Sequence, residues 1–271
     1  YNTTTNLIEY YDGGSWRDLQ SEDIPPVPSE NFNTVLYTGN GSTQSITGVG
    51  FQPDFVWIKK RDSSSSHLLT TTRIGTGEQF RTNSTLGRRI STTVITSFDS
   101  DGFTLGSDSE SNSNNNTFVA WCWKVNGGNS VTNTDGNRTT TIEVNDKNKI
   151  CMMSYNGNAT AGATLGHGLG VAPEFFFLMD RFNGGGWYIY HKDVGASNQL
   201  RFTTSGQAAT SNWNGTAPDS SVITLGATGG ANGSGRQFIL WAFAGVAGFS
   251  KFGSYTGNSS DNGPIVETGF E

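Results

Sequence analysis

Carboxylic acids are the first candidates for chemistry in this chain, because hydrolysis of a glycosidic bond needs two of them about 5 to 10 Å apart in a groove. Asp54 and Glu174 each follow a proline and precede an apolar run, which favours a structural place at the start of a strand. Asp99 and Asp101 lie in an Asp-Ser-Asp-Gly segment, which is typical of a turn. The acids therefore predict no active site, and we expect a protein without catalytic residues.

Histidines and cysteines give no better support for catalysis. His167 lies between two glycines, and His191 follows an aromatic run. Neither neighbours the Gly-x-Ser-x-Gly segment that presents a nucleophile in hydrolases. Cys122 and Cys151 both stand in apolar, strand-like contexts, where a thiol packs as a small hydrophobic group. A nucleophilic triad is therefore not predicted.

Polar loops are the candidate sites for ions and phosphates. Residues 99–102 and 108–112 carry oxygen ligands of the kind that Ca²⁺ prefers, but neither has the twelve-residue calcium-loop pattern. Residues 226–235 are rich in glycine, yet a phosphate loop needs a helix behind it, and the β-favouring run 237–243 follows instead. We predict solvated turns, with no metal and no other cofactor.

Aromatic residues near polar loops are the strongest candidates for sugar binding, which uses flat rings beside hydrogen-bonding groups. Trp213 lies in the polar segment Ser-Asn-Trp-Asn-Gly and is expected to be exposed. Trp187, Tyr190 and His191 follow three consecutive glycines. We predict these four residues as ligand contacts. Packing in a core or at a subunit interface is the alternative role for the same aromatic side chains.

An internal repeat of 120 residues organises the elements that carry these side chains. Pro53 and Pro173 are 120 positions apart and each precedes an apolar run. The segment 118–121 (Phe-Val-Ala-Trp) matches 238–241 (Phe-Ile-Leu-Trp) at the same spacing. Self-similarity at a fixed spacing predicts two copies of one module. The motif Tyr-Thr-Gly-Asn at 37–40, which reads Tyr-Asn-Gly-Asn at 155–158, recurs at 255–258 and predicts the start of another copy.

Short β-favouring runs with turn residues every 8 to 12 positions predict an all-β fold. We expect two tandem β-sandwich, jelly-roll-like modules after an N-terminal β-hairpin. Continuous apolar runs such as 55–58 and 175–179 are typical of strands buried on both faces. The predicted segments are a hairpin (1–19), an extended Pro-rich linker (20–31), module 1 (32–125), a connecting hairpin (126–148), module 2 (149–250), and the start of a third repeat or a closing strand (251–271).

Composition excludes several functions. Gly, Ser, Thr and Asn make up about 45% of the chain, well above ordinary usage, while 17 Phe and 7 Trp argue for a folded core. No apolar run reaches the length of a membrane span, and the first 30 residues do not resemble a signal peptide. With 17 basic against 23 acidic residues, no basic face for a nucleic acid is expected. A neutral, hydrogen-bonding surface of this kind suits sugars.

Several runs resemble tandem modules of tail-fibre-like or capsid-fibre-like appendage proteins of tailed phages, especially marine ones. These runs are NTVLYTGNGSTQSITGVGFQPDFVWIKKRD (33–62), SFDSDGFTLGSD (97–108), NTFVAWCWK (116–124) and GFSKFGSYTGN (248–258). The opening YNTTTNLIEYYDGGSW (1–16) is similar to a short hairpin repeat that often precedes such modules. The resemblance implies a structural or adhesive part of the virion, often a homotrimer, and it carries over no catalytic residue.

The function we expect is therefore attachment to a host-surface glycan by a virion appendage, on the tail or the capsid, exposed to the extracellular medium. The expected partners are further copies of the chain, with a trimer favoured, and other virion proteins. Two alternatives stay open. One is a virion-associated glycan hydrolase, which requires two acids in a groove and a raised pKa. The other is a purely architectural decoration protein that binds no receptor.

Overall fold

The computed structural model describes residues 9–11, 16–18 and 26–270. Strands β1 (Glu9–Tyr11) and β2 (Trp16–Asp18) pair antiparallel within the segment predicted as a hairpin; the rest of segment 1–19 and residues 20–25 of the linker lie outside the described residues. Helix α1 (Pro28–Asn31) is a single turn. The extended linker predicted for 20–31 is wrong at this turn, because proline at the first helical position favours a helix start.

Module 1 is a sandwich of two antiparallel sheets. Its elements are β3 (Phe32–Thr38), β4 (Gln44–Ile46), β5 (Phe55–Lys60), β6 (Leu68–Thr71), β7 (Glu78–Arg81), β8 (Arg89–Ile90), β9 (Ile95–Asp99), β10 (Gly102–Leu105), α2 (Ser109–Asn112) and β11 (Thr117–Trp123). The large sheet has the order β3-β11-β5-β6-β7-β8, and the small sheet has the order β4-β10-β9. The first strand of the module therefore pairs with its last.

Module 2 repeats this plan. Its elements are β12 (Val131–Asn133), β13 (Thr140–Asn145), β14 (Ile150–Asn156), β15 (Ala163–Gly166), β16 (Phe175–Asp180), β17 (Tyr188–His191), β18 (Asn198–Gln199), β19 (Ala208–Ala209), β20 (Val222–Leu225), α3 (Gly229–Asn232) and β21 (Gln237–Phe243). The large sheet has the order β12-β13-β14-β21-β16-β17, beside the pairs β15-β20 and β18-β19. The pairs β5/β16, β6/β17, β10/β20, α2/α3 and β11/β21 each begin 120 residues apart.

The connecting segment is part of module 2 rather than a bridge between modules. Strands β12 and β13 form the predicted hairpin, and β13 then pairs with β14. This hairpin extends the large sheet of module 2 to six strands. At the other end, residues 251–270 contain no strand, so a closing strand is not formed there, and the start of a third repeat stays a prediction.

Each module has its own apolar core between its two sheets. In β11, alternate residues Phe118, Ala120 and Cys122 enter the core of module 1, whereas Trp121 and Trp123 are on the opposite face. This alternation is the one that a strand imposes on the sequence pattern. In module 2, the matching positions of β21 enter the second core.

A third core joins the two modules. Phe55, Leu69 and Phe80 of module 1 pack in one buried cluster with residues of module 2 that include Trp187 and Trp241. The Phe80 ring lies 5.7 Å from the Trp187 ring and 5.8 Å from the Trp241 ring. These side chains come from the faces of the large sheets that point away from each module's own core. The two large sheets therefore pack against each other, and the modules form one body with four β-layers.

Candidate functional site

Trp213, the aromatic residue predicted to be most exposed, is buried. Only 1% of its surface is accessible, and its ring packs edge-on against Phe176 at 4.9 Å. Its indole nitrogen donates a hydrogen bond to the Asn198 carbonyl oxygen at 3.0 Å. The prediction of Trp213 as a ligand contact is wrong, because a satisfied and enclosed indole has no face left for a sugar.

Trp187 and Tyr190 are core residues as well. Trp187 is fully buried in the core between the modules, and its indole nitrogen donates to the Arg81 carbonyl oxygen at 3.2 Å. Tyr190 is 3% exposed and stacks on Phe176 at 4.8 Å. Both predicted ligand contacts are wrong for the same reason as Trp213. His191, the fourth predicted residue, is half-buried at the end of β17, and its role as a ligand contact stays a prediction.

An open, polar pocket lies directly beside the buried aromatic residues of module 2. It has a volume of about 570 Å³, and we call it the Tyr188–Arg201 pocket. The lining includes Tyr188 from β17, Gln199 from β18, Asn212, and Gly230 from α3. Tyr188 and Asn212 are the chain neighbours of the predicted residues Trp187 and Trp213; Tyr188 is half-buried, and Asn212 is 3% exposed.

The polar side chains of this pocket form two groups, a stacked pair and a set of hydrogen-bonded side chains. The Arg201 guanidinium lies over the Tyr188 ring, 4.3 Å from its centre. Asn212 donates from its side-chain nitrogen to the Gln199 side-chain oxygen at 2.8 Å, and its own side-chain oxygen accepts from the Thr228 hydroxyl. An aromatic face, a fixed cation and oriented amides are the groups with which proteins bind sugars and oxyanions.

A second pocket, of about 450 Å³ and mainly apolar, lies on the large sheet of module 1. Trp57, Trp121 and Trp123 line it together with Lys59 and His67. Burial and the nearby Lys59 ammonium lower the pKa of His67, which keeps the imidazole neutral. We call this surface the tryptophan pocket. The alternation along β11 already places two of its three indoles on one face.

Two buried carboxyl groups meet where module 1 contacts the connecting hairpin. Asp54 accepts hydrogen bonds from the Val125 and Gly127 backbone nitrogens at 2.6 and 3.0 Å. Glu143 accepts from the Thr72 hydroxyl at 2.6 Å. Burial raises the pKa of both carboxyl groups. Both side chains are enclosed, with accessibilities of 0% and 1%, so this pair lacks the groove in which a hydrolase binds its substrate.

The remaining acids considered as catalytic or metal-binding groups have structural partners. Asp101 accepts hydrogen bonds from the Gly48 and Gly50 backbone nitrogens, which lowers its pKa. Asp108 caps α2 by accepting from the Glu110 backbone nitrogen. In the part of the chain that the structure describes, no group of three or more His, Cys, Asp or Glu residues is arranged to hold a metal ion.

A comparison with protein families matches residues 27–271 to a family described as a domain of unknown function, DUF7483. The chain belongs to this family. The DUF7483 match includes α1, both sandwiches and the C-terminal segment, and it excludes the N-terminal hairpin. No curated protein and no solved structure matches the chain. Among the described residues of this DUF7483 protein, no helix is both long and apolar enough to cross a membrane.

Proposed function

We propose that this DUF7483 protein is a structural virion appendage component that binds host-surface glycans through the Tyr188–Arg201 pocket, without covalent chemistry. The pocket itself carries this proposal, because it combines a ring face, a guanidinium and two buried amides in one open cavity. The resemblance to appendage proteins of tailed phages supports the location in the virion. Tail or capsid is left open.

Preorganisation is what makes these polar groups suitable for a sugar. The Asn212 backbone nitrogen donates to the Thr210 hydroxyl at 3.0 Å, and its carbonyl oxygen accepts from the Gly226 nitrogen at 2.8 Å. The Gln199 amide is fixed in turn by Asn212. A site whose donors and acceptors are already held in place loses little conformational entropy on binding. The rigid sandwich therefore supports recognition by hydrogen bonds, which sugar hydroxyl groups offer in abundance.

Multiple copies strengthen a weak site. A shallow pocket on one chain binds a sugar weakly, whereas linked copies on one particle bind with an avidity far above the single-site affinity. We propose a homo-oligomer, with a trimer favoured, in contact with other virion proteins. This arrangement fits an attachment protein that acts on a glycan-coated surface.

A glycan array tests the proposal. The labelled full chain is applied beside a Tyr188→Ala variant, which removes the ring face, and a Tyr255→Ala control, which removes a tyrosine that is 70% exposed in the C-terminal segment. We expect the wild type and the control to bind the same glycans and the Tyr188 variant to lose that signal. Equal binding by all three proteins refutes attachment through this pocket. So does the absence of binding at protein concentrations at which the chain is oligomeric.

A purely architectural role is the second candidate, and the tryptophan pocket favours it. Its lining is mainly apolar, and an apolar patch with partly accessible tryptophan side chains is typical of a protein–protein contact. If a second copy covers it, Trp121→Glu should convert the oligomer to monomers, as measured by mass in solution.

The hydrolase alternative predicts shortened polysaccharide chains after incubation of the protein with host polysaccharide, and we expect no shortening.

A further inference from the structure

The internal repeat supplies a template for the ligand of the Tyr188–Arg201 pocket, an inference that rests on the proposed function. In module 1, the same place is filled by the carboxylate of Glu110. Its Oε2 atom accepts from Arg81 Nε at 3.0 Å and lies 2.9 Å from Arg81 Nη2, and its Oε1 atom accepts from the Ser66 hydroxyl at 3.2 Å. Arg89 lies 3.7 Å from the same carboxylate. In module 1, Arg81 is thus paired with the Glu110 carboxylate of the same module.

Module 2 keeps the arginine and loses the acid. At the positions 120 residues later, Arg81 is matched by Arg201 and Glu110 by Gly230. The other side chains that surround Glu110 and Arg81 in module 1 are replaced by smaller or uncharged ones in module 2. Ser66 is matched by Gly186, Asp108 by Thr228, and Arg89 by Ala209.

Among the described residues, Arg201 has no carboxylate partner. No Asp or Glu of the described chain lies within salt-bridge distance of Arg201. Its contacts are the Tyr188 ring and the Gly185 carbonyl oxygen, at 3.3 Å from Nη1. A guanidinium forms its strongest and most directional hydrogen bonds with a carboxylate. The pocket therefore offers a cation whose preferred partner the described part of the chain does not supply.

The neighbouring glutamine shows the same difference between the modules. In module 1, the Gln79 side-chain nitrogen donates to the Thr76 and Ser91 carbonyl oxygens at 3.1 and 2.8 Å. In module 2, the side-chain oxygen of Gln199 accepts from Asn212, and its side-chain nitrogen donates to no acceptor among the described residues. Gln199 lines the pocket and is 6% exposed. A second hydrogen-bond donor beside Arg201 is thus left for a ligand.

We propose that the Tyr188–Arg201 pocket binds the carboxylate of an acidic sugar, with the carboxylate near Arg201 where Glu110 stands in module 1. The Tyr188 ring provides the flat surface for the sugar ring. Gly230 is required by this arrangement, since a Cβ atom there would lie 2.6 Å from the Tyr188 ring. The net charge of the chain is -6, so the protein as a whole repels anions, and selective binding of an acidic sugar would report this local site.

Isothermal titration calorimetry with matched ligands tests the charge requirement. The acidic probes are trigalacturonate and sialyllactose, and the neutral probes are fully methyl-esterified trigalacturonate and lactose. We expect at least one acidic probe to bind at least about tenfold more tightly than its neutral counterpart, which is what loss of one charge-assisted hydrogen-bonded pair implies. Equal affinity for both members of each pair overturns the inference while glycan attachment stands. Failure of all four probes overturns the inference, and the glycan array then decides on attachment separately.

Variants identify the site. Arg201→Gln should weaken the acidic probe at least about tenfold. Arg138→Gln removes one positive charge from module 2 outside the pocket lining and should leave binding unchanged. The double variant Tyr188→Leu with Gly230→Glu rebuilds the Leu68 and Glu110 pair of module 1 and should abolish binding by filling the pocket with the protein's own acid.

Folding is checked by thermal unfolding of each variant. If Arg201→Gln or the double variant folds and binds the acidic probe as tightly as the wild type does, the inference is overturned. In that case, the contact between Arg201 and the Tyr188 ring is only the internal replacement for the ion pair of module 1. Loss of binding equally in the Arg138 control would also count against the inference, because it would indicate a general charge effect.

Discussion

Truncation of one phenylalanine tests whether the two modules form a single cooperative body. Phe80 belongs to module 1 and is fully buried, yet its ring contacts Trp187 and Trp241 of module 2. Replacement of a buried Phe by Ala costs about 3 to 5 kcal/mol, from lost transfer free energy and from the cavity that remains. For a slope of about 2 to 3 kcal/mol per molar urea, the midpoint should fall by about 1 to 2.5 M.

Urea denaturation followed by tryptophan fluorescence and by far-ultraviolet circular dichroism measures this effect. Phe103→Ala is the matched control, because Phe103 is equally buried but lies in the core of module 1 alone. If the large sheets join the modules, both variants should unfold in one transition that both probes follow. A loss below about 1 kcal/mol for Phe80→Ala, or two separate transitions in the wild type, would refute the packing of the large sheets as the basis of one body.

Three further predictions concern local structure and protonation. Gly102 has φ +151° and a Cβ atom there would overlap a carbonyl oxygen, so Gly102→Ala should lower the free energy of unfolding by more than about 1 kcal/mol, and an unchanged urea midpoint would contradict this. Burial raises the pKa of Cys122 to about 12 and raises that of Cys151 as well, so a thiol reagent should label both only after denaturation; fast labelling in buffer would count against it. Burial also raises the pKa of Asp54 and Glu143 above 3.8 and 4.5, so the folded state binds more protons, and its stability should fall as pH rises above these values. The double variant Asp54→Asn with Glu143→Gln should flatten this slope, and an unaltered slope in pH-dependent denaturation would argue against the assignment.

The β-elements and their repeat could be predicted because they depend on local sequence patterns, namely apolar runs, turn residues and a fixed spacing. The 120-residue spacing of Pro53 and Pro173 carries over to the strands that follow each of them. The run Phe175-Phe176-Phe177, apolar at every position, also indicated a strand covered on both faces. What that run did not reveal is the covering partner, which is the other module. Contacts between elements distant in sequence leave no local signal.

The exposure of the candidate aromatic residues was predicted less well than the strands, because exposure depends on tertiary packing. Trp213 stands among polar neighbours in sequence, yet Phe176 and Tyr190 surround its ring in space. Its polar neighbour Asn212 lines the pocket, although it is only 3% exposed. A signal for the pocket did exist in the repeat, since Glu110 is matched by Gly230. The match alone does not show that Glu110 pairs with Arg81, because this contact joins residues that are distant in sequence.

The most direct test of the account is a crystal structure of the protein with a bound acidic oligosaccharide. We predict that the sugar occupies the Tyr188–Arg201 pocket, with a carboxylate about 3 Å from the guanidinium and a sugar ring against Tyr188. A sugar bound instead in the tryptophan pocket, or bound in the predicted place with its carboxylate turned away from Arg201, would contradict it.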